Sequence, residues 1–219
     1  MHVNSPGLAA RWSGTQALTG ISPEELARET AAVMRALEER NDHTAAHCTR
    51  TCALARAIGH SLGLLSDELR VLELAAMLHD VGKIGIPDRI LLKPGRLDAE
   101  ELRVMRTHPC RGYEILSAVP DAQINAVAAV ALCHHEAVDG SGYPNGLSGD
   151  AIPDLARIVA VADAYDAIAA ARPYHQPRTH AQVMRILMDE NGHQYDVEVL
   201  SKFVRIIESS AHRAPDQAP

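Results

Sequence analysis

The chain has 219 residues, of which 47% are apolar, 22% are charged and only 3% are aromatic, with a net charge of −7. This composition excludes a disordered chain, a collagen-like chain and a coiled-coil rod, and it suits one domain with a short extension. An acidic chain without a basic stripe is also a poor partner for duplex nucleic acid, and the shortage of aromatic residues favours helices built around Leu, Ile, Val and Ala over a β-sandwich or barrel.

The N-terminal 40 residues divide into two parts. Residues 1–20 carry Pro, Gly, Ser and Thr without periodicity, which is typical of a flexible lead-in. A helix is predicted over residues 21–40, because Ser22 suits an N-cap, Pro23 suits the first helical position and Glu25 completes a capping box. Two roles are open for this helix: packing on its own domain, or forming a surface for a homodimer or a regulatory protein partner.

Further helices are predicted from apolar spacing and capping residues. In chain order they cover about 42–62, 66–80, a stretch from 98 onward, 120–136, 153–171, 179–190 and 196–209. The Gly- and Pro-rich residues 82–97 and 138–150 are predicted to be loops, and residues 211–219 a frayed tail. Since no strand pattern is present, the predicted fold class is all-α.

The cysteines and the apolar stretches indicate the cellular compartment in which the protein is expected. Cys48, Cys52, Cys110 and Cys133 form no CxxC motif and no spacing typical of a disulfide framework. The N-terminus has neither a Lys/Arg-rich start nor an apolar core, so no signal peptide is expected. The longest apolar stretches, such as residues 124–133, fall well short of the ~20 residues that a membrane span needs. We therefore expect a soluble protein of the reducing cytoplasm with no membrane partner.

Histidines and nearby carboxylates are the candidate functional residues of this sequence. His79 and Asp80 stand where a helix is predicted to end before Gly82, so both side chains can reach one point. His134 and His135 form a second adjacent pair, immediately before the glycine-rich turn region. Three further residues complete a set of five imidazoles and two carboxylates: His47, His108 and Asp163.

Such a set points to a metal site. Nitrogen and oxygen ligands without thiolates suit first-row metals such as iron, manganese or zinc. Seven ligands exceed what one tetrahedral zinc uses, so they fit two six-coordinate metals that share a carboxylate. Two metals about 3.5–4 Å apart are an established arrangement for in-line attack on phosphate esters. The plainer interpretation, isolated structural or surface histidines, is less suited to two adjacent pairs.

Around these residues the sequence resembles the HD-GYP family of metal-dependent phosphohydrolases. The resemblance covers about residues 40–208, and the domain is placed at 41–210. Its motifs occur in the family's order: HDVGKIGIPD at 79–88, LKPG at 92–95, HP at 108–109, GYEIL at 112–116, HHE at 134–136, DGSGYPNGL at 139–147, ARI at 156–158, VADAYDA at 161–167 and RPY at 172–174.

The resemblance implies an HD-domain helical bundle with a di-metal site among its core helices. It implies a cyclic di-GMP phosphodiesterase that yields linear pGpG and, in some cases, GMP. The implied cofactors are two divalent metals, iron or manganese, with a third in some members. The implied metal ligands are His47, His79, Asp80, His108, His134, His135 and Asp163, with Asp80 as the bridging carboxylate.

The family motifs also imply residues that contact the substrate. Lys83 is implied to be catalytic together with Asp80, donating to the attacking oxygen or to a phosphate oxygen and so also binding substrate. Tyr143 is implied to contact the ligand from its loop. Arg172 is implied to bind a phosphate, because a guanidinium offers paired donors to phosphate oxygens.

The sequence departs from the family pattern at three places. His43, where the family often has Tyr or Glu, lies four residues before His47 and is an additional candidate metal ligand. His175 stands where the family usually has Lys or Arg, so this substrate-binding position carries a weaker, pH-dependent cation. Ala169–Ala171 replace residues that tend to be polar. These departures bear on substrate affinity more than on metal binding.

Three alternatives to a cyclic di-GMP phosphodiesterase stay open. A low-activity cyclic di-GMP receptor or interaction module is favoured by His175 and Ala169–Ala171, whereas the full ligand set argues against it. A hydrolase of another cyclic dinucleotide or phosphoester would use the same chemistry. An oxygen-using di-iron enzyme is more remote, because Lys83 and Arg172 favour a phosphate substrate.

Family members commonly carry a receiver or other sensory domain upstream, for which this chain leaves only the first 40 residues.

Overall fold

A computed structural model describes residues 31, 35, 39, 42–169 and 178–216. Two short 3₁₀-helices, Val81–Gly85 and Gly149–Ala151, lie between the α-helices. The described residues form no β-strand, which confirms the all-α prediction. The α-helices are α1 (Asp42–Leu62), α2 (Ser66–Leu78), α3 (Asp88–Leu91), α4 (Ala99–Met105), α5 (His108–Ser117), α6 (Ala122–Cys133), α7 (Asp154–Ala169), α8 (His180–Asp189) and α9 (Val197–Ile207).

Side-chain caps begin several helices where the sequence predicts them. The Asp98 carboxylate accepts from the Glu101 N–H, and the Glu101 carboxylate accepts from the Asp98 N–H, which completes a capping box at α4. Asp121 and Asp196 each accept from two backbone N–H groups at the start of α6 and α9. Each such cap stabilises a helix by ~1 kcal/mol, so these boundaries are encoded locally.

Helix α6 lies inside the bundle, packed against α2, α5 and α7. Its apolar residues are buried on several sides, as expected of a helix that is apolar all round. Most of the core is Leu, Ile, Val and Ala, as the composition predicts, with Tyr165 and Phe203 as its largest fully buried side chains. In the described ranges, no helix is both long and apolar enough to cross a membrane.

The segment between α2 and α6 contains helices where a loop is predicted, and it contains a helix end that the sequence prediction left open. Residues 82–97, predicted to be loop, contain most of the first 3₁₀-helix and all of α3. The helix that begins after Asp98 ends at Met105, and a separate helix, α5, follows it. Pro109 lies in the first turn of α5. Because proline lacks an N–H and fixes its own φ, it fits a first helical turn but interrupts a continuous helix.

The end of the chain is docked at residues 211–216, where the sequence predicts fraying. Ala214 is buried, and its N–H donates to the Tyr165 hydroxyl at 2.8 Å. The N–H of His180 donates to the carbonyl of Pro215 at 2.9 Å. These tertiary contacts satisfy backbone groups of the tail, and nothing in its local sequence indicates them.

Several predicted features lie outside the described residues. The lead-in over 1–20 is one of them. The helix predicted over 21–40 is another, apart from residues 31, 35 and 39, which are helical and exposed. The side chain of His43 and the whole of Arg172 and His175 also lie outside the description, as do Ala170 and Ala171.

Candidate metal centre

Helix ends bring the adjacent pairs and His108 to one place. His79 and Asp80 follow α2, where the backbone leaves the α-helix for the first 3₁₀-helix. His108 is the first residue of α5, and His134 and His135 follow α6. The rings of His134 and His135 have centres 4.0 Å apart, and the ring of His135 lies 5.1 Å from that of His108. The predicted convergence at helix ends is therefore present.

Backbone carbonyls hold three of the imidazoles in one tautomer. Each ring donates its Nδ1–H to the carbonyl of the residue three positions earlier, as follows: His79 to Ala76 at 2.9 Å, His108 to Met105 at 2.9 Å and His134 to Ala131 at 2.6 Å. A proton on Nδ1 leaves the lone pair of Nε2 free to bind a metal. Nε2 of His79 is buried and has no hydrogen-bond partner among the residues that the structure describes. Since buried polar atoms are rarely left unpaired, this nitrogen fits a metal ligand.

The carboxylate of Asp80 faces two groups of imidazoles. Its Oδ2 lies 3.4 Å from Nε2 of His79, and its Oδ1 lies 3.3 Å from Nε2 of His108. Nε2 of His108 is in turn 3.4 Å from Nε2 of His134. A carboxylate whose two oxygens face different donor groups could be shared by two metals.

All seven predicted ligand residues lie in this cluster. Their donor atoms form three overlapping groups, each within 4.8 Å, that could hold a metal ion. The set contains nitrogen and oxygen donors and no thiolate, which suits a first-row divalent metal. The groups are His47, His79 and Asp80; His79, His134 and Asp163; and His108, His134 and His135.

Two residues that the sequence prediction left out support His47. Nε2 of His47 is 3.0 Å from Oδ1 of Asp163, and its Nδ1 is 2.7 Å from Oδ2 of Asp166. Arg50 donates to both oxygens of Asp166, at 2.5 and 3.0 Å. Asp166 and Arg50 each follow a predicted ligand by three residues, and this spacing places them on the same helix face. That spacing is the signal that could have identified them.

We expect Asp166→Asn to weaken metal binding about 10- to 100-fold, the usual effect of removing a group that orients a metal ligand. The asparagine amide can donate to Nδ1 of His47, which favours the tautomer that carries its proton on Nε2. Calorimetric titration of metal-free protein with Mn²⁺ measures the change. Asp189→Asn, at an exposed end of α8, is the control, and equal affinity in the two variants would contradict the expectation.

Burial and neighbouring charges set the protonation of the cluster. Burial lowers the pKa of His135 to about 4, and it holds the pKa of His134 well below its ordinary value. Burial also opposes ionisation of Asp80, but the charge of Lys83 holds the pKa of Asp80 well below its usual range. Neutral imidazoles and an ionised carboxylate are the forms that bind metals.

His47 differs from His134 and His135 in its protonation. Burial opposes its protonation, but hydrogen bonds to Asp163 and Asp166 raise the pKa of His47 to about 9. In the metal-free protein at neutral pH, His47 is therefore a cation between two carboxylates. A metal that binds its Nε2 must displace a proton from this residue.

Lys83 extends from the first 3₁₀-helix towards the cluster. Its Nζ lies 2.5 Å from Oδ2 of Asp80, so it reaches the site beside Asp80 as the resemblance implies. Burial opposes its charge, but the Asp80 carboxylate raises the pKa of Lys83 above its ordinary value. It is therefore a cation at neutral pH, able to donate to an anionic oxygen.

Glu136 organises the loop that carries Tyr143. The buried Glu136 carboxylate accepts from the N–H groups of Asn145 at 2.8 Å and Leu147 at 2.9 Å. A Cβ on Gly142 would come within 3.0 Å of the backbone of Glu136, so only glycine allows this close approach. Tyr143 thereby stacks on His135, with ring centres 4.7 Å apart and 26° between planes. Glu136 is the third residue of the HHE motif at 134–136, and the sequence alone does not indicate this role.

Known proteins resemble the chain over most of its length. It matches the family model of the HD domain over residues 31–199. It is 46% identical over 183 residues to the cyclic di-GMP phosphodiesterase response regulator RpfG of Xanthomonas campestris pv. campestris, covering 83% of this chain and 48% of that protein. It is 41% identical over 165 residues to 3'3'-cGAMP-specific phosphodiesterase 2 of Vibrio cholerae serotype O1, covering 75% of this chain and 32% of that protein. The chain thus spans about half or less of the length of these relatives.

A solved structure shares the fold. Bd1817, an HDG"Y"P protein from Bdellovibrio bacteriovorus, matches with a TM-score of 0.60 and 22% identity, over 75% of this chain and 52% of that one. The family model covers well over half of the chain, and the HD and GYP motifs lie in the cluster and in the loop beside it. This chain therefore belongs to the HD-GYP family of the HD-domain superfamily.

Proposed function

We propose that this chain is a phosphodiesterase that hydrolyses cyclic di-GMP to linear pGpG with the help of two divalent metals. The observation that carries the proposal is the convergence of five imidazoles and two carboxylates, with the oxygens of Asp80 facing two donor groups. The relative RpfG is named a cyclic di-GMP phosphodiesterase, which supports this substrate. Since the chain covers only 48% of RpfG, its own activity has to be measured.

We assign the ligands to two metals from the distances between donor atoms, because Oδ1 of Asp163 lies 3.0 Å from Nε2 of His47 and 3.7 Å from Nε2 of His79. His47, His79 and Asp163 would hold one metal, and a second set would hold the other, with Asp80 shared between them. Iron or manganese suits such a set. When bound, a pair of such metals supplies an activated water and neutralises charge on the phosphate. The second set is His108, His134 and His135.

The side chains around the cluster orient the substrate. Lys83 holds a proton on Nζ beside Asp80 and is positioned to donate to a phosphate oxygen or to the leaving 3′ oxygen. The Tyr143 ring covers His135 and excludes water from that side of the site. Arg172 and His175 remain proposed phosphate contacts, and His43 remains a proposed additional ligand.

The test is cyclic di-GMP turnover by anaerobically purified protein, with the metal content of the same sample measured by mass spectrometry. We expect about two iron or manganese ions per chain and a linear dinucleotide as the first product by chromatography. Full metal loading with tight binding but no turnover would contradict the proposal and favour the receptor alternative, to which His175 and Ala169–Ala171 are suited.

A second candidate substrate is 3'3'-cGAMP. It is favoured by the relative at 41% identity, which is named a 3'3'-cGAMP-specific phosphodiesterase. The phosphorus chemistry is the same for both substrates, so the cluster itself does not discriminate between them. Comparing kcat/KM for cyclic di-GMP and 3'3'-cGAMP in one assay distinguishes the two.

We also propose a cellular compartment for the protein and a surface for its partners. Its four cysteines are free thiols, which is typical of a reducing compartment, and we place its activity in the cytoplasm. The helix predicted over 21–40 is the proposed surface for a homodimer or a regulatory partner.

A further inference from the structure

Arg106 lies over the ring of Tyr143. Its guanidinium carbon is 5.0 Å from the centre of that ring, and the same ring stacks on His135. Arg106 is exposed, whereas Tyr143 is half-buried. One aromatic ring therefore links a solvent-facing cation to an imidazole of the metal cluster.

The backbone of Arg106 is tied to the cluster. Its N–H donates to the carbonyl of Leu102 at 2.9 Å, at the end of α4. The preceding residue, Met105, supplies the carbonyl that accepts from Nδ1 of His108. The short segment that orients His108 therefore also fixes the backbone position of Arg106. The distance between Arg106 and the cluster consequently does not depend on a long loop.

The donors of Arg106 are available for a ligand. Within the part of the chain that the structure describes, its guanidinium makes no ion pair and no hydrogen bond. By contrast, Arg103 on α4 pairs with Glu100, and Lys83 pairs with Asp80. A guanidinium stacked on an aromatic face keeps its N–H groups free to donate. In a chain with a net charge of −7, an unpaired cation beside the site favours an anionic ligand.

We propose that Arg106 is a substrate-binding residue that holds the phosphate of the cyclic dinucleotide that is not under attack, an inference that rests on the proposed function. A cyclic dinucleotide carries two phosphodiester groups, and only one at a time can lie at the metal cluster. The other must lie at the rim, where Arg106 is. The planar guanidinium can donate two parallel N–H groups to its oxygens.

The test compares Arg106→Gln, Arg106→Lys and the control Arg103→Gln in steady-state hydrolysis of cyclic di-GMP by metal-loaded protein. We expect Arg106→Gln to raise KM about 10- to 100-fold, the size of a lost charge-assisted hydrogen bond, with a smaller change in kcat. Arg106→Lys recovers part of the loss, because it keeps the charge but not the paired donors. Added salt should raise the KM of the parent more than that of Arg106→Gln.

Two further measurements separate substrate binding from a structural role. Metal content and Tm should match the parent in all three variants, and a fall in either that accounts for the loss would overturn the inference. Parental KM in both Arg106 variants would overturn it as well and leave the proposed function standing. If the metal-loaded parent neither hydrolyses nor binds cyclic di-GMP, the proposed function fails, and the inference fails with it.

Discussion

Asp80→Asn is expected to remove both the proposed metals and the proposed phosphodiesterase activity. Asp80 is buried. One of its carboxylate oxygens faces Nε2 of His79, and the other faces Nε2 of His108, which belongs to a different donor group. An amide has one oxygen and no negative charge, so it cannot serve both groups. We expect turnover to fall at least about a thousandfold, which corresponds to about 4 kcal/mol of lost transition-state stabilisation. Metal analysis and turnover on the same sample measure both effects.

The substitution is nearly isosteric, so the fold should survive it. Circular dichroism checks the helix content, and Asp67→Asn, on the exposed first turn of α2, is the matched control on the helix that precedes Asp80. Asp67→Asn should keep parental metal content and turnover. Parental metal loading and turnover in Asp80→Asn would refute the assignment of Asp80 as the shared ligand.

Gly82→Ala should lower stability and metal content together. A Cβ at Gly82 would come within 3.0 Å of the carbonyl oxygen of His108 and the backbone nitrogen of Gly112. Both are backbone atoms of α5, so the first 3₁₀-helix and α5 would have to separate. Overpacking of this kind costs about 1–3 kcal/mol or more, and for a chain of this size each kcal/mol lowers Tm by about 2–4 °C. The separation would also move His108 away from Asp80.

Gly85→Ala is the matched control, in the same 3₁₀-helix. There the nearest atoms to an added Cβ belong to the side chain of Arg111, which can move aside. Calorimetric melting and metal analysis of both variants measure the difference. Equal Tm and metal content in the two would show that the backbone contact at Gly82 is unimportant. Neither glycine has a positive φ, so the contrast concerns space and not backbone conformation.

The local sequence determined most of the helices and the list of candidate ligands. Capping residues such as Asp98 and Asp121 place helix starts within the first turn, because an N-cap acts on backbone groups two or three residues away. Adjacent histidines and carboxylates at predicted helix ends, together with the family motifs, were sufficient to nominate the seven residues that the structure brings together.

Only the tertiary structure decided how those residues are supported. Asp166 and Arg50 are 116 positions apart, and Glu136 bonds a loop that folds back on it. Gly82 looked like a helix stop, but it is required by the close approach of α5. The docked tail at Ala214 and the contact of Arg106 with Tyr143 were likewise not apparent. The physical reason is range: helix propensity, capping and periodicity act over a few residues, whereas these contacts depend on how whole helices pack.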